Sequence, residues 1–356
     1  MNNTKILNSS IIVIKGENKI YGEIDIPGDK VSAVHLLLAT LISNKKTRID
    51  NIPLCGDVIS ILTWIKVNNI ADINYAKNYV EIKPNQNQNF KIDLFSISQN
   101  RASICLVTAM ALKFGEVIFT PNIGGCDFTS RKIDRHLDLI RAFGITIRKE
   151  IPDFVAVKTN NPKKVEFDCS TKFGASVGIT CHALIAALVF NREIILHNIA
   201  IESAPAILVK FFEIITNRTI LVNGNSIIIK QVKTMNYNPV EISLPYDLTV
   251  VCTYIAAGMA NGGNIYLKRI SNSIPSVANL LDKMNIKYFL EKEGIEFQIS
   301  NIIHPGYIEC IPWPGFPSDI GPIFAAGLCM HKGQTKLIDR VYDKRSSHIA
   351  GLNKMG

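Results

Sequence analysis

The chain has 356 residues, which is more than one hydrophobic core usually accommodates, so two domains are expected. Its 47% apolar and 19% charged residues indicate a well-packed globular protein and exclude a mostly disordered one. No apolar run approaches the roughly 20 residues that a membrane span requires. The first residues also lack the pattern of a secretory signal. We therefore predict a soluble, cytoplasmic protein without membrane contact.

The net charge of +9 has three interpretations. The first is a basic protein that binds no charged partner. The second is nucleic-acid binding, which we do not expect, because the lysines and arginines are dispersed and no basic stripe is interleaved with aromatic residues. The third is a cleft whose positive charge attracts small phosphorylated substrates.

Eight cysteines are scattered along the chain without the spacing of a zinc site. Most of them lie within apolar stretches. In a cytoplasmic chain of this length they are expected to be small core residues and not a disulfide framework. Cys126 is the exception, because it lies in a glycine-rich segment.

One pattern recurs about every 70 residues: an apolar helix, a short strand and a second, amphipathic helix. The predicted apolar helices contain residues 36–41, 104–110, 183–188, 254–259 and 323–328. The predicted amphipathic helices contain residues 58–67, 133–143, 207–215 and 277–284, and a fifth reaches Gly356. Because the first helix of each copy is apolar nearly all round, we expect it to be buried inside a domain.

Lys30 stands between the predicted strand 23–26 and the first apolar helix, in the segment Pro27-Gly28-Asp29-Lys30. A lysine at a helix N-terminus opposes the helix dipole. Its position is favourable if an anion binds there, shared between the lysine and the free N–H groups. The alternative is a solvated loop lysine.

Arg101 opens the second apolar helix, and a loop with Gly124 and Gly125 follows the next strand. The two glycines permit a tight turn and place Cys126 on a loop instead of in a core helix. Arg131 nearby would lower the pKa of the thiol or pair with a phosphate. The alternative is an incidental loop cysteine.

Polar residues also precede the third and fifth apolar helices. The third follows Lys172, Phe173 and Gly174, and the fifth follows Asp319. Asp319 either caps its helix or takes part in chemistry. Because four of the five copies place a polar residue at the start of an apolar helix, these starts are predicted to converge on one anionic ligand.

The Pro-Gly-Asp-Lys segment that ends at Lys30 and the Gly-Gly-Cys loop that ends at Cys126 resemble the enolpyruvyl transferases (EPSP synthase and MurA), most closely the MurA family. The resemblance extends from about residue 12 to residue 356 and stops before the family's last repeat. It implies an α/β fold of two domains, each an inside-out α/β barrel of repeated βαβαββ units with buried helices. Residues 1–30 and 238–356 would form one domain, incomplete at about one and a half repeats, and residues 31–237 the other.

The resemblance implies transfer of the enolpyruvyl group from phosphoenolpyruvate to the 3-hydroxyl of UDP-N-acetylglucosamine, with release of phosphate. This is the first committed step of peptidoglycan precursor synthesis, and it uses no metal or organic cofactor. Cys126 would protonate the methylene carbon and Asp319 would deprotonate the hydroxyl, while phosphoenolpyruvate would bind to Lys30, Arg131 and Arg345. The residues expected to bind the UDP-sugar are Arg101, Asp134, His136, Lys172, Phe173, Gly174 and Asp319.

Three features depart from the MurA pattern. Val31 stands where the family has an asparagine, and Lys132 replaces a proline after Arg131. The sequence also ends before the Asp-Leu-Arg region of the family's final repeat. Two hypotheses therefore stay open: an active transferase that acts on this or another nucleotide substrate, and a catalytically inactive nucleotide-binding remnant. The sequence assigns neither the acceptor sugar nor the oligomeric state.

Overall fold

The computed structural model describes residues 19–85, 94, 97, 100–120, 124, 132–150, 152–270, 274–342 and 345–356. Its helices are α1 (Lys30–Thr40), α2 (Gly56–Val67), α3 (Ile104–Phe114), α4 (Asp134–Ala142), α5 (Val177–Ala187), α6 (Ser203–Ile215), α7 (Leu248–Asn261), α8 (Pro275–Lys283), α9 (Gly321–Leu328) and α10 (Ser347–Lys354). A short 3-10 turn, Arg101–Ser103, precedes α3. Within the described part of the chain, every helix falls short of the length and apolarity that crossing a membrane requires.

The strands are short and alternate with the helices. They are β1 (Ile20–Asp25), β2 (Thr47–Asp50), β3 (Ala71–Ala76), β4 (Tyr79–Pro84), β5 (Glu116–Phe119), β6 (Ile145–Glu150), β7 (Asp153–Lys158), β8 (Lys164–Asp168), β9 (Ser170–Thr171), β10 (Gly174–Ala175), β11 (Glu193–His197), β12 (Ile220–Asn223), β13 (Ser226–Ile229), β14 (Val240–Ser243), β15 (Gly263–Lys268), β16 (Lys287–Glu291), β17 (Gly294–Ile299), β18 (Gly306–Cys310) and β19 (Thr335–Asp339).

Three four-stranded sheets share one topology, in which a parallel pair is extended by two antiparallel strands. Their orders are β14-β2-β4-β3, β8-β11-β13-β12 and β1-β15-β17-β16. In each sheet, one helix precedes the second strand and another precedes the final hairpin. Two smaller sheets, β5-β7-β6 and β18-β19, follow parts of the same plan. The predicted repeat of βαβαββ units is thereby confirmed.

The first strands of two units are exchanged along the chain. Strand β1 comes directly before α1, yet it pairs with β15; strand β14 comes directly before α7, yet it pairs with β2. The chain therefore passes twice between two parts of the fold. The sequence pattern did not predict this exchange, because each strand fits the period of the unit that follows it.

Buried apolar side chains form two clusters. The first cluster draws on residues 33–244 and the second on Ile26 and residues 251–328. Helices α1, α3 and α5 are buried along nearly their whole surface within the first cluster, as predicted. Helices α7 and α9 pack against each other and are buried along one face only. The proposed domain boundaries at residues 30 and 237 stay a prediction.

The two crossings between the clusters lie side by side. The Asp29 N–H donates to the Pro245 carbonyl at 2.8 Å, and the Asp247 N–H donates to the Pro27 carbonyl at 3.0 Å. Gly28 lies between them, and its N–H donates to the Asn51 carbonyl at 3.0 Å. A Cβ at Gly28 would lie 2.1 Å from the same carbonyl oxygen, so this close approach requires glycine.

Two aspartates cap the helices that begin at the crossings. Asp29 accepts from the Ser32 N–H at 2.7 Å and from the Ser32 hydroxyl at the start of α1. Asp247 accepts from the N–H groups of Thr249 and Val250 at the start of α7. Asp247 also accepts from the Lys30 N–H at 3.2 Å, so its carboxylate caps one helix from each cluster.

The cysteines are mainly core residues, as expected. Cys105, Cys169, Cys181, Cys252 and Cys310 are buried, and burial raises the pKa of each thiol. Among the described cysteines, Cys55 is half-buried and Cys329 is exposed. The buried thiols are therefore poor nucleophiles, because little of each is ionised at neutral pH.

Candidate active site

Lys30 is the first residue of α1, as the sequence predicted, and its side chain reaches outward. The Lys30 Nζ lies 3.2 Å from the Asp57 Oδ2 near the start of α2, and both side chains are about half exposed. Burial acts to lower the pKa of Lys30, but the hydrogen bond and charge of Asp57, with the charges of Cys55 and Asp319, outweigh it and raise the pKa. Lys30 is therefore an ammonium group, available to an anion.

Asp319 does not cap α9, which settles the alternative left open by the sequence. The N-cap position of that helix is Ile320, and no side chain bonds to the free N–H groups there. Instead, the Asp319 Oδ1 lies 2.6 Å from the Arg345 Nη2. Asp319 is 67% exposed, whereas the Arg345 side chain is 9% exposed. A buried guanidinium thus holds one carboxylate oxygen and leaves the other facing solvent.

Arg345 is itself held by a small polar network. Its Nη1 donates to the Ser318 hydroxyl oxygen at 3.0 Å, and the Ser318 hydroxyl donates to Asp339. Asp339 accepts from the backbone N–H groups of Val341 and Tyr342 at 2.8 and 3.0 Å. Asp319 and Arg345, which are far apart in sequence, are therefore brought together in one preorganised ion pair.

The two sides of the predicted site belong to different clusters but act on one another. Lys30 begins the first helix of the first cluster, and Asp319 precedes the last helix of the second cluster. Asp319 contributes to raising the pKa of Lys30, so the two charges lie within electrostatic range. The predicted convergence of Lys30 and Asp319 is consistent with this coupling.

Residues predicted to hold the nucleotide meet around α4. Asp134 is exposed at its first position, whereas His136 is 7% exposed. The Arg101 guanidinium donates to the Lys132 carbonyl at 3.3 Å, just before that helix. Burial lowers the pKa of His136 to about 3, and the charge of Arg101 adds to this effect. Arg101 and His136 are therefore neighbours, and His136 is a neutral imidazole.

Lys172, Phe173 and Gly174 lie at the tip of the small hairpin formed by β9 and β10. All three are exposed, and the Lys172 Nζ lies 4.5 Å from the centre of the Phe173 ring. A Cβ at Gly174 would lie 3.6 Å from Pro312 Cγ, so this hairpin of the first half of the chain faces a loop next to the second cluster. The hairpin precedes α5, which is capped by the Ser176 hydroxyl.

Cys126 and Arg131 lie outside the described residues, so their predicted roles stay predictions. The sequence interpretation missed Asp57, Ser318 and His182, which contact predicted site residues, and Thr108, which contacts His182. Asp57 follows a glycine at the start of a helix and resembles an ordinary first-turn carboxylate. His182 and Thr108 are embedded in apolar helices, where the sequence pattern predicts only core packing.

The sequence matches the family described as EPSP synthase (3-phosphoshikimate 1-carboxyvinyltransferase) over residues 14–356. With the repeated fold and the site residues at its helix starts, this match shows that the chain belongs to the EPSP synthase family of enolpyruvyl transferases.

Relatives in this family carry names that specify a substrate. The chain is similar to UDP-N-acetylglucosamine 1-carboxyvinyltransferase from Pelagibacter ubique, with 30% identity over 96% of this chain and 80% of the relative. The enzyme of the same name from Kosmotoga olearia is 26% identical over 97% of this chain and 81% of its own length.

Solved structures share the fold. The enolpyruvyl transferase NikO from Streptomyces tendae superposes with a TM-score of 0.79 at 17% identity, over 96% of this chain and 80% of that one. EPSP synthase from Acinetobacter baumannii superposes with a TM-score of 0.68 at 16% identity, over 90% of this chain and 74% of that one. At these identities the superpositions establish the fold and not the substrate.

Proposed function

We propose that the protein transfers the enolpyruvyl group of phosphoenolpyruvate to a hydroxyl of UDP-N-acetylglucosamine and releases phosphate. The names of the relatives at 26–30% identity support this acceptor. The charges at the helix starts support a substrate that carries phosphate and carboxylate groups. Such a protein acts on small molecules.

The observation that carries the proposal is the Asp319–Arg345 ion pair facing Lys30. Addition requires a base at the attacking hydroxyl and an acid at the methylene carbon. Asp319, with one oxygen held by Arg345 at 2.6 Å and the other towards solvent, suits the base. Cys126 is proposed as the acid. Lys30, Arg131 and Arg345 are proposed to stabilise the phosphate and carboxylate of the intermediate.

The reaction proceeds in two balanced steps. In the first, the sugar oxygen bonds to C2 of phosphoenolpyruvate, the hydroxyl proton passes to Asp319, and C3 gains a proton from Cys126. In the second, C3 returns a proton to the Cys126 thiolate, the C2=C3 double bond forms again, the C2–O bond to phosphate breaks, and the proton held by Asp319 leaves with the phosphate. The cations that hold the intermediate make the departure of phosphate easier, because they offset its developing charge.

The test is phosphate release from phosphoenolpyruvate in the presence and absence of UDP-N-acetylglucosamine, comparing native protein with Cys126→Ala. We expect release that requires the sugar nucleotide and disappears in the variant. Cys329→Ala, which removes an exposed thiol away from the proposed site, is the matched control and should retain activity. Release by Cys126→Ala at the native rate would refute the acid role.

A second candidate is enolpyruvyl transfer to a different nucleotide acceptor. This candidate is favoured by Val31, the residue after Lys30, which is 38% exposed. The family has a hydrogen-bonding residue at this position, and a valine cannot replace that hydrogen bond. A panel of UDP-sugars and other nucleotides in the same assay separates the two candidates. Absence of release with every acceptor, together with UDP-sugar binding by calorimetry, would favour the nucleotide-binding remnant instead.

A further inference from the structure

A chain of polar side chains crosses the apolar interior between α3, α4 and α5. The Thr108 Oγ1 lies 2.7 Å from the His182 Nε2, and the His182 Nδ1 lies 3.0 Å from the His136 Nδ1. Thr108 and His182 are wholly buried and His136 is 7% exposed. The three residues therefore form one hydrogen-bonded series from the interior of α3 to the residue beside Arg101.

The direction of these hydrogen bonds follows from the threonine. A hydroxyl always carries a proton, and a buried proton without an acceptor is costly. Among the described residues, the only hydrogen-bond partner of the Thr108 hydroxyl is the His182 Nε2. Thr108 must then donate to Nε2, so His182 carries its own proton on Nδ1. That proton is donated to the His136 Nδ1, and His136 consequently carries its proton on Nε2.

Both imidazoles are neutral, as this series requires. Burial lowers the pKa of His182 well below its usual value, and burial lowers that of His136 to about 3. The charged and titratable groups that act on the pair are Arg101 and His35, besides the pair itself, and each further disfavours the imidazolium form. A second ring proton would also place two N–H groups against each other at 3.0 Å.

The Nε2 edge of His136 is turned towards the start of α5. A Cβ at Gly178 would lie 3.6 Å from both Cε1 and Nε2, so the glycine leaves this edge less covered than any other residue would. Within the described part of the chain, no hydrogen bond to the His136 Nε2 is formed. The proton on Nε2 is therefore available to a ligand that lies near Arg101 and the start of α5.

We propose that Thr108 and His182 are positioning residues that fix His136 as a neutral imidazole with its proton on Nε2. His136 then donates a hydrogen bond to an acceptor oxygen of the bound nucleotide. The identity of the ligand rests on the proposed function, whereas the protonation pattern is a property of the protein alone. His136 in this form favours a hydrogen-bond acceptor on the part of the ligand next to Nε2. It disfavours a hydrogen-bond donor there, because a donor would face the Nε2–H group.

The first test is nitrogen NMR of protein labelled with ¹⁵N-histidine, free of ligand, between about pH 6 and 8. We expect His136 in the Nε2–H form, His182 in the Nδ1–H form, and no titration of either. Thr108→Val removes the donor, and the expected result is a mixture of forms at both rings. Thr108→Ser should restore the single forms. Native His136 protonated on Nδ1 would overturn the proposal.

The second test is calorimetric binding of UDP to the same variants. Thr108→Val should weaken binding about tenfold, whereas Thr108→Ser restores it. The matched control is Thr40→Val, which removes another wholly buried hydroxyl, one that donates to the Leu37 carbonyl at 2.7 Å. Equal weakening by Thr108→Val and Thr40→Val would reduce the threonine to a structural role and overturn the proposal.

The two tests separate the two inferences. If the native rings show the expected forms but UDP does not bind, the nucleotide assignment fails and the series of hydrogen bonds stands. If UDP binds and the rings show other forms, the series fails and the proposed function stands.

Discussion

The two halves of the candidate site are organised by opposite physical means. Around Asp319 the groups are charged, and a nearly buried guanidinium holds an exposed carboxylate at 2.6 Å. Behind His136, Thr108 and His182 are neutral, and hydrogen bonds between these buried side chains set the position of each proton. A charged pair suits a step in which a proton moves, whereas a neutral network suits recognition without titration. The comparison shows that the site draws on both a charged ion pair next to the second cluster and a neutral network inside the first.

The largest expected effect is the loss of activity on changing Asp319, in the charged half of the site formed by Asp319 and Arg345. Asp319→Asn removes the proposed base and should reduce the rate of phosphate release about 10³-fold. Glu309→Gln is the matched control, because Glu309 on β18 also pairs with an arginine, Arg340, at 2.8 Å just after β19. If both variants lose activity equally, the effect of Asp319 is structural and the contrast between the two halves fails.

The next effect concerns the cation on the other side. Lys30→Gln keeps a polar side chain, one atom shorter than lysine, but removes the charge, and kcat/KM for phosphoenolpyruvate should fall about 100-fold. Lys46→Gln breaks a similar pair, with Glu81 at 2.8 Å, away from the site and should leave kcat/KM unchanged. Unchanged kcat/KM in Lys30→Gln would remove the lysine from the proposed anion site.

Gly28, where the two crossings meet, tests how closely the halves are joined. Gly28→Ala places a Cβ 2.1 Å from the Asn51 carbonyl oxygen, and the free energy of unfolding should fall by about 1–3 kcal/mol. Gly56→Ala, where a Cβ meets no atom within 4 Å, should raise it by about 0.4–1 kcal/mol. Urea titrations measure both, and equal effects would contradict the tight approach at Gly28.

The last prediction concerns the dependence of the free energy of unfolding on pH, to which the buried histidines around His136 contribute. Burial lowers the pKa of His35, His136 and His182 in the folded protein. The unfolded chain therefore binds more protons below about pH 6.5, and stability that is fully present above this pH is lost as the pH falls. Each histidine that stays neutral contributes a slope of about 1.4 kcal/mol per pH unit. For His136 the loss continues to about pH 3.

Urea titrations at a series of pH values measure this slope. His182→Gln should reduce it by the contribution of one histidine, whereas Thr40→Val, which removes a buried hydroxyl and no histidine, should not. Burial raises the pKa of the carboxyl groups of Asp29 and Glu202, which bind protons in the folded state and oppose the loss. These acids are present in both variants, so the difference between the slopes isolates His182. An unchanged slope in His182→Gln would contradict the neutral state.

The sequence predicted the repeats and the burial of α1, α3 and α5 because both follow from periodicity, which is a local property. The burial prediction was wrong for α7 and α9, which pack against each other and are buried along one face only. The sequence also placed Lys30 and Asp319 at helix starts.

The repeat pattern alone does not predict the exchange of β1 and β14, since each strand carries the same alternating pattern whichever sheet it joins. The family resemblance groups residues 1–30 with residues 238–356 and so places β1 with β15, but it also places β14 in that group, although β14 pairs with β2. The sequence named Asp319 and Arg345 as site residues but did not predict the ion pair between them. Their pairing depends on how β19 and the following turn lie against α9.

The sequence also did not predict that Thr108 and His182 contact each other. Thr108 and His182 are 74 residues apart and lie in helices whose other residues are apolar. Only the packing of α3 against α5 makes one a donor to the other. A polar residue in an apolar helix is a recognisable signal, but the sequence does not state its partner.

The carboxylate of Asp247 has a thermodynamic consequence. It caps α7 in one cluster and accepts the Lys30 N–H of α1 in the other, so loss of structure in either cluster breaks the hydrogen bond between Lys30 and Asp247. The folding free energies of the clusters are therefore coupled, and denaturation is expected as one cooperative transition instead of two. A single aspartate thereby links the integrity of one helix to that of its neighbour across the fold.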